Sequence, residues 1–298
     1  MKRFLLTGTS GQVGGALQSA LRPDADILAP PRSELDLSIP SSIAGSLDRL
    51  QPDLIINAAA YTAVDRAEDE ADLAFRVNAE APAMIAHWAA AHRVPLIHFS
   101  TDYVFNGTGE RPWREDDSCD PLSVYGKSKL VGEAGVRQAA GVHLIIRTSW
   151  VYASSGTNFF RTIIRLAKER SELHVVADQV GAPTSARSIA GAVKKIALIE
   201  GIEMASAFSQ ANGLVHLANS EFTSWHGFAI GIVDHLKRHN LELKAHTVIP
   251  IETKEFPTKA VRPLNSRLDL SRLRDIFGLQ MPSWQLALEM EVRNFVSA

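Results

Sequence analysis

The chain has 298 residues, 46% of them hydrophobic and 21% charged, with a formal net charge of −2. That length allows one large domain or a core with a smaller lobe, and the composition is that of an ordered globular protein. So balanced a charge gives no ground for nucleic acid or an anionic membrane as partner, and a lone cysteine, Cys119, excludes an intramolecular disulfide and suits a reducing compartment.

Met1-Lys2-Arg3 sets basic residues before apolar ones, as a signal peptide does, but the apolar run stops at Thr7-Gly8, too soon for one. No apolar stretch approaches the length of a membrane span, so a cytoplasmic location is expected. In chain order, strands are predicted at 2–7, 25–29, 53–58, 94–100 and 142–148, several nearly continuous in Val, Ile and Leu, as in strands buried on both faces. Between them, Ala- and Leu-rich stretches at helical spacing cover 12–21, 41–50, 72–92 and 122–139, with Pro40 and Pro121 as helix-start signals. This alternation implies right-handed βαβ units and an α/β fold with a doubly wound parallel sheet of Rossmann type. Further on, a helix at 158–170, a strand at 173–177, a helix at 188–200 and a strand at 214–218 are expected, then two more helical segments around a Pro-punctuated stretch at Pro250, Pro257 and Pro263. The division read from this is a dinucleotide-binding core over 1–150, sheet completion from about 171–219, and a smaller substrate-binding lobe from 151–170 and 220–298.

The first strand runs into Gly8-Thr9-Ser10-Gly11-Gln12-Val13-Gly14, which opens the first helix. One glycine permits the tight turn, one admits a pyrophosphate to the backbone and one lets helix pack on strand; the helix amides and dipole then hold the phosphates. At the end of the second strand, where an acid would bind a ribose 2′-hydroxyl, stand Arg32 and Ser33, which suit a 2′-phosphate. Glu34 beside them argues the other way, so NADPH is favoured and NADH left open. After the third strand, Ala58, Ala59 and Ala60 leave room for a flat group above the sheet, though plain packing explains small residues equally well.

Tyr125 and Lys129 are four apart, hence on one helix face. A nearby ammonium, with the positive charge of the oxidised nicotinamide close by, favours the phenolate, so Lys129 and the cofactor together are expected to lower the tyrosine's pKa and fit it to protonate an alkoxide. Alone the pair is common on surface helices. It gains weight from Thr101, at the carboxyl end of the fourth strand, where a hydroxyl can polarise a carbonyl and where open α/β sheets bind ligands.

Together the glycine loop, Thr101 and Tyr125-xxx-Lys129 resemble the extended short-chain dehydrogenase/reductase family. More narrowly, Asn57-Ala-Ala-Ala-Tyr-Thr-Ala-Val-Asp65, Ser100-Thr-Asp-Tyr-Val-Phe105, Arg147-Thr-Ser-Trp-Val-Tyr152, Asp178-Gln-Val-Gly-Ala-Pro-Thr184 and Arg262-Pro-Leu-Asn-Ser-Arg267 resemble the dTDP-4-dehydrorhamnose reductases, in order along nearly the whole chain. The resemblance implies reduction of a dTDP-4-keto-6-deoxy sugar with NADPH, the last step toward dTDP-L-rhamnose. It makes Tyr125 the proton donor, with Thr101 assisting and Lys129 holding the nicotinamide ribose. By the same likeness Thr62 joins the cofactor site, Asp36 and Leu37 lie near the adenine, Trp150 packs on the sugar, and Asp102 and Tyr103 line its pocket. Arg262 is the candidate for the diphosphate, since a guanidinium matches phosphate oxygens.

One departure stands out. Some members bridge a dimer through a metal held by a glutamate after Gly-x-Pro-Thr; here the stretch reads Ser185-Ala-Arg187-Ser, so no metal and no such dimer is expected. Monomer and homodimer both stay open. His235 and His239 are four apart without a third ligand and read as a solvated helix face. A dehydratase on this fold needs an acid where Tyr103 stands, and a non-catalytic NADP-binding regulatory subunit is the rival of another class.

Overall fold

The computed structural model describes residues 1–297. Strands β1 (Arg3–Thr7), β2 (Asp26–Leu28), β3 (Leu54–Asn57), β4 (Leu96–Thr101) and β5 (His143–Thr148) lie side by side in one parallel sheet. β6 (Glu172–Val176) lies elsewhere, and β7 (Leu214–His216) adds the outer strand beside β5, giving six strands in the order β7-β5-β4-β3-β1-β2. The chain leaves β1 toward one edge for β2 and returns to the other side for β3. That reversal opens a crevice at the carboxyl ends of β1 and β3, where such sheets bind ligands.

Both sheet faces are covered, which is why β3 and β4 are buried along their whole length. On one face α1 (Gln12–Leu21) lays down Leu17 and Leu21, fully buried with Leu6, Ile56 and Ile97. On the other, α2 (Ile43–Leu50), α3 (Ala81–His92) and α4 (Val124–Gln138) cover Leu5, Ile55 and Ile145 with residues such as Ile43, Ile85 and Val136. Each fully buried Leu or Ile contributes on the order of 1.5–3 kcal/mol. The helix predicted over 72–92 is broken into Ala71–Phe75, a π-type turn at Arg76–Glu80, and α3. Pro82 lacks the N–H that would close the helical bond to the Asn78 carbonyl, and the widened turn follows.

A second core lies in the C-terminal half. Helices α5 (Phe159–Glu169), α8 (Trp225–Arg238) and α10 (Trp284–Val296) surround β6 and bury Phe160, Phe228 and Leu288. Three expectations change here. β6 does not complete the main sheet: it pairs in parallel with β8 (Thr247–Ile251), a strand within the Pro-punctuated stretch. Between α6 (Ala186–Ala197) and β7 lies an unanticipated helix, α7 (Gly201–Gln210), which buries Met204 and Phe208 one turn apart against the first core. Among the described residues the last stretch holds three helices rather than two, because α9 (Ser271–Phe277) precedes α10 and sends Leu273 back to the first core. No helix among the described residues is long and apolar enough to cross a membrane.

Candidate active site

A cavity of about 1710 Å³ runs along the carboxyl ends of β1, β3, β4 and β5. Ligand pockets typically measure roughly 300–1,000 Å³, so this one has room for a dinucleotide and a second molecule. The whole glycine loop (Gly8, Thr9, Ser10, Gly11, Gln12, Val13, Gly14) lines it, as do Arg32, Asp36, Leu37, Ala58, Ala59, Ala60 and Thr62. So do Thr101, Asp102, Tyr103, Tyr125, Lys129 and Trp150. Gln12 Oε1, Asp102 Oδ2 and Thr148 Oγ1 are buried without a hydrogen-bond partner, and all three residues line the cavity. Buried polar atoms without partners are costly, and a polar ligand in the cavity would offer them partners.

The glycines are a fitted cradle. Gly8 has φ +71° and a Cβ there would lie 2.7 Å from the Ala59 nitrogen; one on Gly14 would come within 2.1 Å of the Gly8 carbonyl oxygen. Gly11 begins α1 with no side-chain cap and no acid follows in the first turn, so the N-terminal amides are open to an anion. The Ala58–Ala60 segment is held from beneath by a row of polar side chains on adjacent strands. Thr7 accepts from the Ala59 amide (3.1 Å) and donates to Asn57 Oδ1 (2.6 Å), whose Nδ2 donates to His98 Nδ1 (3.1 Å). Burial and the charge on Lys129 keep His98 neutral. Asn78, in the π-type turn, grips the Tyr61 backbone from both sides, accepting from its amide and donating to its carbonyl. Arg32 is mostly exposed and pairs with Asp36 (3.2 Å), while Ser33, expected beside it, is not among the lining residues.

Tyr125 reaches Thr101 because of its neighbour. A Cβ on Gly126 would lie 2.2 Å from the Tyr103 carbonyl oxygen, so only glycine lets α4 approach this closely. Ser123 and Glu68 cap the first turn of α4, accepting from the Gly126 and Val124 amides (3.2 and 2.9 Å). Tyr125 lies beside Thr101 and packs edge-on against Tyr103, ring centres 5.7 Å apart. Lys129, fully enclosed, donates to the Phe99 carbonyl (2.6 Å). Burial drops its pKa to about 8, with Glu133 opposing.

In the chain without cofactor, Lys129 alone does not lower the tyrosine's pKa. Tyr125 is pushed up to about 12, burial being the main cause and Thr101 the opposing one. Low-dielectric surroundings penalise the phenolate more than any neighbour favours it, and the ammonium spends a hydrogen bond on Phe99. The tyrosine is a neutral phenol at pH 7, a donor that keeps its proton until a strong base forms beside it.

Trp150 is held at φ +48°, a costly conformation for a tryptophan, with its ring in the cavity wall. The ring stacks on Trp225, centres 3.6 Å apart and planes 9° off parallel, and a Cβ on Gly181 would collide with the ring atoms at 2.8 Å. Trp225 was missed by sequence reasoning, since nothing around Ser224-Trp225 distinguishes it from core. Arg262 stands apart: it is not among the lining residues, and its guanidinium grips the carboxylate of Asp65, with Nη2–Oδ2 at 2.6 Å. A further cluster went unread. Glu133 on α4 accepts from Ser100 (2.6 Å) and takes two bonds from Arg147 on β5 (2.8 and 2.6 Å), all buried; Arg147 also reaches Cys119 (3.3 Å). It ties α4 to the strands carrying Thr101 and Thr148. Among the described residues no group of three or more metal-ligating side chains comes together.

The profile of the RmlD substrate binding domain family matches residues 1–297. The dTDP-4-dehydrorhamnose reductase of Burkholderia thailandensis is 42% identical over 300 residues, covering 99% of each chain. That of Escherichia coli K12 is 40% identical over 290 residues, 96% of this chain and 95% of its own. The crystal structure of dTDP-4-dehydrorhamnose reductase from Bacillus anthracis in complex with NADP superposes with a TM-score of 0.87 at 35% identity, covering 98% of this chain and 99% of that one.

Proposed function

The chain belongs to the RmlD substrate-binding-domain family, and on that premise we propose that it reduces the C4 ketone of dTDP-4-dehydro-L-rhamnose to dTDP-L-rhamnose with NADPH, in the cytoplasm. The observation that carries this reading is the meeting of Thr101, Tyr125 and Lys129 beside a glycine cradle, in one cavity large enough for cofactor and sugar nucleotide. Bound NADPH supplies the hydride. Gly8 to Gly14 and the α1 amides hold its pyrophosphate, Asp36 and Leu37 flank the adenine, Arg32 meets the 2′-phosphate, and the Ala58–Thr62 segment with Lys129 cradles the nicotinamide ribose.

Thr101 and Tyr125 orient the ketone oxygen by hydrogen bonds, and Tyr125 gives its phenolic proton to that oxygen as the alcohol forms. A neutral tyrosine suits this direction: it protonates an alkoxide readily and holds its proton otherwise. Trp150, braced by Trp225, gives the sugar ring an apolar platform, while Asp102 and Tyr103 border it. Tyr103 stands where elimination would need an acid, which supports reduction alone. Arg262 serves the diphosphate only by releasing Asp65.

The test is purified protein with NADPH and the dTDP-keto sugar, followed by loss of reduced-nicotinamide absorbance, with NADH in parallel. Turnover is expected, faster with NADPH, and Tyr125→Phe should lower it by about 10²–10⁴ with NADPH affinity nearly intact. Tight NADPH binding without oxidation by any dTDP-keto sugar would overturn the reading in favour of a regulatory subunit.

A further inference from the structure

The stretch Asp178-Gln-Val-Gly-Ala-Pro-Thr184 has so far no task, and none of its residues lines the cavity. What it meets is the pair of stacked tryptophans. The Thr184 amide donates to the Trp150 carbonyl at 3.1 Å, and Gly181 lies against the Trp150 ring more closely than any side chain would allow. Val180 and Gly181 pair antiparallel with Ser224 and Thr223, the two residues that lead into Trp225. One short segment therefore sets the backbone of both tryptophans.

The Trp225 ring has a further hold on it. A stack fixes the distance and tilt of two rings but leaves each free to turn about its own normal; a directional bond at the ring edge removes that freedom. Trp225 Nε1 donates to Gln179 Oε1 at 3.2 Å. An indole N–H can only donate, so the Gln179 amide must turn its carbonyl to the ring and its NH2 away. That NH2 donates to Thr253 Oγ1 (3.1 Å), and the Thr253 hydroxyl donates to Asp178 Oδ1 (2.6 Å). The Thr253 amide donates to the same carboxylate, at 2.9 and 3.0 Å. Every donor in the row points the same way, from indole to amide to hydroxyl to carboxylate. Gln179 is 5% exposed, so an amide group deprived of either partner would stay unpaired in the interior.

We propose that Gln179 is a positioning residue of the sugar site: it locks the Trp225 ring, and through the stack the Trp150 ring, in the orientation that receives the sugar of the dTDP-keto substrate. The proposal rests on the reductase reading above. Gln179 touches neither the reacting groups nor the cavity, so its influence passes through Trp225. A platform contacts ground state and transition state alike, which puts the effect of disturbing it on KM more than on kcat.

Gln179→Met keeps the length and bulk of the side chain and removes both its acceptor and its donor. In nitrogen–proton correlation spectra of the ligand-free protein, the Trp225 indole signal is identified by its loss in Trp225→Phe. In Gln179→Met that signal should move upfield and exchange faster with water, while those of Trp88, Trp113 and Trp284 stay in place. KM for the dTDP-keto sugar should rise about two- to tenfold, the worth of one neutral hydrogen bond, with a smaller change in kcat and NADPH affinity unmoved. Placed on top of Trp225→Ala, Gln179→Met should raise KM no further, because the ring it acts through is gone. Thr253→Val cuts the row one link farther out; it should move the Trp225 signal in the same direction and stands in should Gln179→Met not fold. An unmoved Trp225 signal, a fall in kcat at constant KM, or a rise in KM that persists undiminished in the Trp225→Ala background would each overturn the positioning role. A wild type that binds NADPH but does not oxidise it with the keto sugar would instead overturn the reductase reading, and the indole signal is read without turnover.

Discussion

Gly14→Ala puts the geometry of the glycine cradle to a quantitative test. The added methyl would sit 2.1 Å from the Gly8 carbonyl oxygen, 2.5 Å from its carbonyl carbon and 2.9 Å from the Thr9 nitrogen, all backbone atoms with no side chain to swing aside. Contacts under 3.0 Å are essentially never sustained, so helix and loop must part by at least about 0.9 Å. Two effects on stability oppose each other: alanine is better in a helix by about 1 kcal/mol, and overpacking costs about 1–3 kcal/mol. The net loss of stability is therefore small, about 0–2 kcal/mol. Binding has no such offset. N–H···O bonds span roughly 2.7–3.2 Å, so a displacement near 0.9 Å forfeits at least one charge-assisted bond to the pyrophosphate, worth about 1.5–3 kcal/mol. NADPH should bind roughly 10- to 150-fold more weakly, read by fluorescence titration, while urea unfolding shows a modest shift. Gly45→Ala is the control, because a methyl there meets only the end of Arg49 at 3.8 Å; it should raise stability by up to about 1 kcal/mol and leave NADPH affinity unchanged. A Gly14→Ala protein with wild-type NADPH affinity would refute the cradle.

Glu133→Ala strands the Arg147 guanidinium in the core and should cost about 3–5 kcal/mol in urea unfolding; an unmoved midpoint would mean the pair holds nothing together. Trp225→Ala removes the ring that braces Trp150, a stack worth about 0.5–1.5 kcal/mol, and should raise KM for the sugar nucleotide about two- to tenfold without changing NADPH affinity. His216, driven down to about 3 by burial and then by Arg147, stays neutral in the fold but titrates near 6.5 when unfolded. The unfolded chain binds the extra proton, so this group's support is complete above about 6.5 and is lost as pH falls toward 3. Stability referred to His216 should drop by about 1 kcal/mol between pH 6.5 and 5.5, and His216→Gln should lack that part of the slope in denaturant titrations.

The parts of this molecule legible in its sequence share a property: each is dictated by neighbours in the chain. Strand runs such as Leu54–Asn57 must be apolar throughout because both faces are covered. The glycine loop announces itself because strand, turn and helix follow without a gap, and Tyr125 and Lys129 because helical spacing alone puts them on one face. What was missed is settled by contacts between distant segments. β6 looked like another strand of the main sheet, yet its partner comes from 247–251, where Pro250 tolerates an edge position in a two-stranded ribbon. Trp225 acquires meaning only when the chain folds it onto Trp150, itself forced into a positive φ that no local pattern signals.

Electrostatics followed the same division, with one reversal that bears on mechanism. Spacing correctly set Lys129 one turn from Tyr125, but spacing says nothing about the dielectric, and burial proved the stronger influence on the phenol. Burial likewise raises the pKa of Asp102, so an ordinary tyrosine and an ordinary carboxylate in the sequence are both shifted by their enclosure. A reductase needs an acid ready before hydride arrives, and desolvation keeps Tyr125 in that form.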